Sequence, residues 1–353
     1  MAAEHQFDHV HYGVKGTPNK HLHAVGMCDH SKGLRPATSE QLDLPYCGQC
    51  VNKVRSLVVG EEAKAAVALE QARRAEMERQ LVAENGSMEG APARLVNELR
   101  FYRGGRGIYF DKDNTGGAAD PGVTVGVLHT GEHYDDDLSA SGVIYHYPVT
   151  EKPGRDAAEV EATKQAQRLQ LPVYVIVERK GARDVRKGWV LEWDDRQQAF
   201  LIEFADEPPI SSFADQDLED EPFQATEKKT RSTARSKVRT GSDKFRFAVL
   251  QRSGSRCGAC NIADSRLLEA AHVIPYEDDG VDEARNGLPL CPTHHRAFDK
   301  KLLLLQPGSL EWTAPDGSDL TLADLLVTRR DIGHLDAAPH PDAVTWRWNK
   351  HKS

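Results

Sequence analysis

The sequence predicts an α+β protein built from several domains. Its 353 residues are enough for two or three compact domains, each with its own hydrophobic core. Strand-like segments are concentrated in the middle of the chain, and cysteines and histidines with metal-ligand spacing lie towards both ends. Composition divides the chain into an N-terminal zinc-ribbon-like segment (1–53), a connecting helix (54–95), a β-rich domain (96–206), a charged linker (207–243) and a C-terminal domain (244–353).

Two helices and five strands are expected in the first two thirds of the chain. Residues 60–92 are rich in Ala, Glu, Arg and Leu, which favours one long helix, and Asn85-Gly86 supplies its stop signal. A second helix is expected at about 155–170. The strands are expected where β-branched and aromatic residues concentrate, at 123–129, 142–149, 172–180, 188–193 and 199–204.

Composition also limits the class of protein. The sequence contains no run of roughly 18 apolar residues, the length that a membrane helix needs. Its N-terminal residues lack the basic-then-apolar pattern of an export signal, which favours a cytoplasmic protein. In a reducing cytoplasm, the six cysteines are expected to bind metal rather than to form disulfides.

The net charge of −9 argues mildly against nucleic-acid binding, but the charges are segregated. Residues 203–221 carry eight acidic side chains and no Lys or Arg, whereas residues 227–246 carry eight basic side chains against two acidic ones. A local basic stretch can follow DNA phosphates whatever the total charge of the protein. A solvated linker and a linker that contacts DNA both fit this pattern.

Two pairs of metal-ligand residues lie about thirty residues apart in the C-terminal domain. Cys257 and Cys260 form the first pair, Cys291 and His294 form the second, and two residues separate the members of each pair. This spacing predicts a tetrahedral zinc site that stabilises the fold of a small domain. A structural zinc knuckle without catalytic activity would need only these four ligands.

Side chains suited to phosphodiester hydrolysis accompany these pairs. The reaction needs a base to activate water and a hard cation to take up charge on the phosphate. His272 follows the apolar pair Leu267-Leu268, so we expect it at the end of a strand, where Asn286 can orient the ring or its loop. His295 and Asp299 are four residues apart on a predicted helix and can together hold Mg²⁺ or Mn²⁺.

This ordered set of residues resembles the HNH nuclease family over about 245–305. The resemblance implies a ββα-metal fold. It also implies that His272 is the general base, that Asn286 positions this base, and that His295 is a ligand of the catalytic cation. The C-terminal domain is therefore predicted to be a metal-dependent endonuclease module.

One departure from the family pattern concerns the catalytic cation. Many members carry Asp or His directly before the general base as a metal ligand, and Ala271 occupies that position here. Glu269 or Asp299 would have to supply the missing ligand. The motif thus defines the general base, whereas the complete set of cation ligands requires residues outside it.

An acidic loop leads into an aromatic strand in the β-rich domain. The sequence runs His133-Tyr134-Asp135-Asp136-Asp137 and then, after a short gap, Gly142-Val143-Ile144-Tyr145-His146-Tyr147. Carboxylates do not suit phosphate, but they accept a hydrogen bond from cytosine N4, and aromatic faces can sandwich an extruded base. Taken alone, the loop is also explained as an acidic surface turn.

This pattern resembles SRA domains, which flip 5-methylcytosine or related bases out of duplex DNA. The resemblance implies a β-barrel in which Tyr134 and Tyr147 stack on the base and Asp137 reads its Watson–Crick edge. Arg103 and Arg106 lie upstream in a Gly-rich loop. They would contact backbone phosphate or fill the gap left by the flipped base, although a solvated turn explains them equally well.

A second zinc site is expected near the N-terminus. Cys28, Cys47 and Cys50 supply three thiols. His21 is the preferred fourth ligand, because Lys20-His21-Leu22 resembles the opening of small zinc ribbons. Reduced cysteines without bound metal are the competing interpretation.

The two resemblances together imply a modification-dependent, type IV-like restriction endonuclease, since SRA plus HNH is a known restriction-enzyme architecture. The expected partner is double-stranded DNA with 5-methyl- or 5-hydroxymethylcytosine, and the expected ions are structural Zn²⁺ and catalytic Mg²⁺ or Mn²⁺. One HNH site cuts one strand, so double-strand cleavage predicts a homodimer. Two alternatives stay open: a non-cleaving reader of modified DNA with a zinc-stabilised HNH scaffold, and an HNH nuclease that acts on unmodified DNA.

Overall fold

The chain divides into two compact units. Unit 1 comprises residues 1–131, 147–192 and 203–216, and unit 2 comprises residues 132–146, 193–202 and 217–353. The computed structural model describes residues 12–14, 23–24, 35–36, 61–104, 107–130, 137–209, 222–224, 226 and 243–352. Within these ranges, no helix is both long and apolar enough to cross a membrane.

Three short strands form an antiparallel sheet near the N-terminus. They are β1 (Tyr12–Val14), β2 (His23–Ala24) and β3 (Arg35–Pro36), with β1 in the middle. The ligands predicted for a second zinc site, His21, Cys28, Cys47 and Cys50, lie outside the described residues. That zinc site therefore stays a prediction.

The long helix expected from composition is α1 (Glu61–Asn85). It ends at the predicted stop signal rather than at residue 92. Gly86 adopts a φ of 80°, and its N–H donates to the carbonyl of Val82 at 2.9 Å. Gly86 thus ends the helix in the left-handed conformation, which residues other than glycine adopt only with strain.

The described residues of the β-rich region form seven strands and three further helices. The strands are β4 (Ile108–Phe110), β5 (Thr124–His129), β6 (Asp137–Leu138), β7 (Gly142–His146), β8 (Val173–Arg179), β9 (Ala182–Asp194) and β10 (Ala199–Phe204). The helices are α2 (Ala93–Glu98), α3 (Lys112–Thr115) and α4 (Pro153–Arg168). All five predicted strands and the predicted second helix are present. In unit 1, β5 pairs with β8 in parallel and with β4 antiparallel, and β8 pairs with β9 antiparallel.

The described strands form no closed barrel of the kind that the SRA resemblance implies. In unit 1, strand β4 pairs with β5 alone, and in unit 2, strand β6 pairs with β7 alone, among the described residues. They are only three and two residues long. Edge strands this short offer few backbone groups through which a sheet could close on itself. The expectation of a closed barrel is therefore corrected for the described part of the chain.

A buried ion pair anchors α1 in unit 1. Arg74 is 1% exposed, lies 2.6 Å from the carboxylate of Glu70 and donates to the carbonyl of Pro172. Burial lowers the pKa of Arg74, and the charge of Glu70 acts in the opposite direction. Beside this pair, the ring of Tyr174 meets Phe101 edge to face at 4.7 Å. The buried charge of Arg74 is thus paired with Glu70, and Met77 and Leu81 of the helix belong to the same hydrophobic cluster as the two aromatic rings.

The C-terminal part of unit 2 contains a ββα arrangement. The ββα arrangement consists of β11 (Glu269–His272), β12 (Gly287–Leu290) and α6 (Pro292–Asp299). The elements around it are α5 (243–253), β13 (Leu304–Leu305), β14 (Trp312–Thr313) and α7 (Pro341–Lys352). Strands β11 and β12 pair antiparallel, with His272 opposite Gly287. Helix α6 follows β12 directly and packs against both strands. This order confirms the fold expected for an HNH domain.

Arg347, on α7, contacts both β11 and α6 of the ββα arrangement. It is only 4% exposed, and its guanidinium donates to the carbonyls of Val273 at 3.0 Å and His272 at 3.4 Å. The same group donates to the carbonyl of Phe298 and lies 3.6 Å from the centre of that ring. Burial lowers the pKa of Arg347 to about 10. One side chain therefore links the end of β11 to α6.

Candidate active site

The four residues predicted to bind zinc converge on one point. The Sγ atoms of Cys257, Cys260 and Cys291 and a ring nitrogen of His294 all lie within 4.8 Å of one another. Nδ1 of His294 is 3.1 Å from Sγ of Cys291 and 3.6 Å from Sγ of Cys257. Burial raises the pKa of the Cys260 thiol to about 12. Three thiols and one imidazole fit the donor set of a structural zinc ion, which binds thiolates.

The surrounding backbone orients these ligands. Nε2 of His294 lies 3.1 Å from the carbonyl oxygen of Leu325, which can only accept a hydrogen bond. Nε2 must therefore carry the proton, and Nδ1 presents its lone pair to the thiols. The N–H of Cys291 donates to Sγ of Cys257 at 3.3 Å. These hydrogen bonds to and from the backbone orient the ligand side chains for metal binding.

His272 is the last residue of β11 and is held on two sides. Its ring stacks on Phe245 of α5, with ring centres 3.9 Å apart and an angle of 14° between the planes. Its Nε2 lies 2.8 Å from Oδ1 of Asp282. The facing Gly287 has no side chain, and a Cβ there would lie 2.0 Å from Val249 Cγ2. Glycine thus allows β12 to lie against α5, which brings Phe245 to His272.

Asn286 holds the loop that follows His272. It is fully buried, and its Oδ1 accepts from the N–H of Ile274 at 2.8 Å. Its Nδ2 donates to the carbonyls of Ile274 at 3.1 Å and Val281 at 3.0 Å. The sequence left open whether Asn286 orients the ring or the loop, and these three bonds all go to the loop backbone. A carboxylate could not replace the two donated bonds.

His295 lies between two carboxylates. Its Nδ1 is 2.7 Å from Oε2 of Glu269, and its Nε2 is 3.3 Å from Oδ2 of Asp299. The expected pairing of His295 with Asp299 on one helix face is therefore present, and Glu269 joins them from β11. Carboxylate oxygens and an imidazole nitrogen together suit Mg²⁺ or Mn²⁺. The three side chains have the donor chemistry that a catalytic cation requires.

These groups line one open cleft of about 890 Å³ in unit 2. Its wall includes His272, Asp282, Glu269, His295, Asp299 and Arg296. The zinc-binding cluster lies outside this lining. The buried metal cluster and the accessible cleft are therefore separate features of unit 2.

Three details of this region differ from the sequence expectation or were absent from it. Leu267 lies in a short 3₁₀ helix (Ser265–Leu267) rather than in a strand, because the Asp264 side chain accepts from the Arg266 N–H and forms a turn there. Ala271 is fully buried in the core, so its position faces away from the cleft. Asp282 was not predicted, because five acidic residues lie between His272 and Asn286 and the sequence does not single out one of them.

The residues predicted to read a modified base are only partly described. Tyr147 is 9% exposed, and Nζ of Lys164 lies 5.9 Å from the centre of its ring. Arg103 is exposed and donates to the carbonyl of Asn97 at 3.2 Å. The backbone of Asp137 belongs to β6. Tyr134 and Arg106 lie outside the described residues.

Comparison with known proteins points to the same part of the chain. Residues 257–306 match the HNH endonuclease family, and this match covers 50 of the 353 residues. No curated protein sequence matches the chain.

Two solved structures are similar to the chain at low identity. One is a modification-dependent TagI restriction endonuclease, with a TM-score of 0.27 and 17% identity over 75% of this chain and 92% of that chain. The other is the type IV phosphorothioation-dependent restriction endonuclease ScoMcrA, with a TM-score of 0.22 and 15% identity over 76% of this chain and 66% of that chain. Both scores are too low to establish a shared fold. The ββα geometry and the family match over residues 257–306 together identify an HNH endonuclease domain in the C-terminal part of this chain.

Proposed function

We propose that this chain is an endonuclease that cleaves DNA containing 5-methyl- or 5-hydroxymethylcytosine. The observation that carries the nuclease claim is the meeting of His272, Asp282, Glu269, His295 and Asp299 in one accessible cleft. These residues supply a base and a set of oxygen and nitrogen donors that line the same cleft. The claim of modified-base reading is supported by the motif around Tyr134 and Tyr147 in the sequence.

In the proposed reaction, His272 removes a proton from the attacking water. A carboxylate only accepts hydrogen bonds, so the contact between Asp282 and Nε2 leaves Nδ1 as the nitrogen with a free lone pair. Water oxygen then bonds to phosphorus, and the bond from phosphorus to the leaving sugar oxygen breaks. Asn286 keeps the loop after His272 in place through its three backbone hydrogen bonds.

Glu269, His295 and Asp299 are the residues that would hold a divalent cation. Such a cation, Mg²⁺ or Mn²⁺, supplies electrostatic stabilisation of the charge that develops on the phosphate during hydrolysis. Cys257, Cys260, Cys291 and His294 would hold zinc as a structural ion. The two roles require different ions because thiolates prefer zinc and carboxylates prefer hard cations.

Residues 96–206 are proposed to flip and read the modified cytosine. Tyr134 and Tyr147 would stack on the base, Asp137 would accept from N4, and Arg103 and Arg106 would contact the backbone. The linker at 207–243 would connect reading to cleavage, and a homodimer would cut both strands.

The decisive experiment compares cleavage of one duplex in three forms: unmodified, 5-methylcytosine and 5-hydroxymethylcytosine, each with Mg²⁺ or Mn²⁺. We expect a modified form to be cut faster than the unmodified duplex, because base flipping would favour productive binding. Tyr134→Ala and Asp137→Ala should reduce this preference without changing the metal content. Equal cutting of all three duplexes would remove the claim of base reading, and no cutting of any would remove the nuclease claim.

Asp282 offers a test of how His272 is positioned. Asp282→Asn keeps the side-chain shape but removes the carboxylate, so we expect single-turnover cleavage to fall by roughly 10²-fold with DNA affinity unchanged. Asp282→Glu should restore part of the rate. Asp278→Asn is a matched control, since Asp278 lies in the same loop, pairs with Lys350 and does not line the cleft. Wild-type cleavage by the Asp282→Asn variant would contradict the assignment.

A further inference from the structure

Helix α6 carries a second pair of side chains beside the catalytic one. His295 and Asp299 lie one turn apart, and Arg296 and Lys300 follow each of them by one residue. The N–H of Lys300 donates to the carbonyl of Arg296 at 2.9 Å, so these two residues are also one turn apart. Both basic residues are exposed and line the same cleft. The helix therefore presents two cations next to the proposed cation-binding residues.

The charges of Arg296 and Lys300 are not compensated by any side chain in the described part of the chain. Neither side chain has a hydrogen bond or ion pair with any residue that the structure describes. By contrast, the third basic residue of the cleft, Arg246, donates to the carbonyls of Leu268 at 2.8 Å and Ser265 at 2.7 Å. Arg246 thus has a structural role, while the pair on α6 is available to a ligand.

The cleft needs such cations if it is to receive DNA. Four carboxylates line it, namely Glu269, Glu277, Asp282 and Asp299, against the three basic residues. A polyanion that approaches this cleft meets repulsion from the carboxylates unless nearby cations offset it. A favourable interaction of Lys300 with the C-terminal end of α6 would account for its presence. Arg296 lies in the last turn, where the same interaction is favourable, but this interaction does not explain why both side chains line the cleft.

We propose that Arg296 and Lys300 bind two backbone phosphates of the DNA strand that enters the cleft. This inference rests on the proposed function, because it assumes that the cleft receives DNA. The guanidinium can grip one phosphate through two parallel hydrogen bonds, and the ammonium meets another as a compact charge. Four residues span about 6 Å along a helix, which lets each cation meet a different phosphate. The contacts carry no base information and serve to fix the register of the strand.

The test measures binding apart from cleavage. All variants are made in a His272→Ala background, and the affinity for an unmodified duplex is measured without divalent metal across a series of salt concentrations. Two lost phosphate contacts should make the slope of log affinity against log salt shallower by about 1.8. We expect this change in Arg296→Ala/Lys300→Ala. Alanine favours helix at both positions, so the fold should be retained.

Two controls locate the effect. Arg296→Lys/Lys300→Arg keeps both charges and should keep the original slope. Arg329→Ala removes an exposed cation outside the cleft and should leave the slope unchanged. An unchanged slope in the double alanine variant, or an equal change in Arg329→Ala, would overturn the proposal. If the double alanine variant has a shallower slope and the chain with His272 intact cuts no DNA, the phosphate contacts are supported and the nuclease claim is removed, so the two failures are distinguishable.

Discussion

His272→Ala is expected to lower the rate of DNA cleavage by roughly 10²–10⁴-fold, the usual contribution of a general base. The imidazole is the group in the cleft that is both fixed by a carboxylate and stacked on an aromatic ring. Without it, no side chain at the end of β11 can take the proton of the attacking water. DNA affinity and zinc content should not change, because neither depends on this ring. Single-turnover cleavage at saturating enzyme, beside a binding isotherm, measures the two effects separately.

A control variant tests whether the loss of any histidine would lower the rate of cleavage. His351 lies near the end of α7 and does not line the cleft, so His351→Ala should cleave at the wild-type rate. Retained cleavage by His272→Ala would contradict the role of base. A protein that binds modified DNA but is inactive even with His272 present would instead fit the non-cleaving reader.

Loss of the buried metal cluster should have the largest effect on stability. Zinc binding contributes about 10–16 kcal/mol of apparent free energy in small zinc modules, and that energy is gained only when the domain folds. Cys291→Ser is therefore expected to remove one zinc per chain and to unfold the C-terminal domain. Elemental analysis measures the metal, and near-ultraviolet circular dichroism of the purified chain reports the loss of packing around Trp312, a residue of that core.

Two controls separate zinc from metal in general. Cys260→His keeps four donors and should keep both metal and fold. After chelation, added Zn²⁺ should restore the signal and Mg²⁺ should not, because thiolates bind zinc and not hard cations. A folded, metal-free Cys291→Ser variant would show that the cluster is not needed for stability.

The secondary structure was predictable where local preferences and burial agree. Strands β5 and β8 were recognisable because Val and Ile cluster in short segments that become central, buried strands. The stop at Gly86 was recognisable because the left-handed conformation favours glycine. The absence of a closed barrel among the described strands was not predictable, since closure depends on how edge strands such as β4 and β6 pair and not on their composition.

The candidate site also has a part that was predictable from the sequence and a part that was not. The spacing of Cys257, Cys260, Cys291 and His294 was enough to predict that they converge, because the geometry of a tetrahedral ion constrains it. The surroundings of His272 were not predictable. Phe245 reaches its ring only because a glycine lets α5 approach β12, and this depends on packing between elements distant in the sequence.

The role of Arg347 has a consequence for how the domain should be delimited. Every residue of the motif lies within 257–306, whereas the guanidinium that joins the carbonyls of His272 and Phe298 comes from α7, some forty residues later. The length of chain that carries the recognisable signature is therefore shorter than the length that folds as a unit. A fragment that ends at residue 306 would keep the proposed catalytic and metal-binding residues. It would lose Arg347, whose hydrogen bonds fix the end of β11 relative to α6.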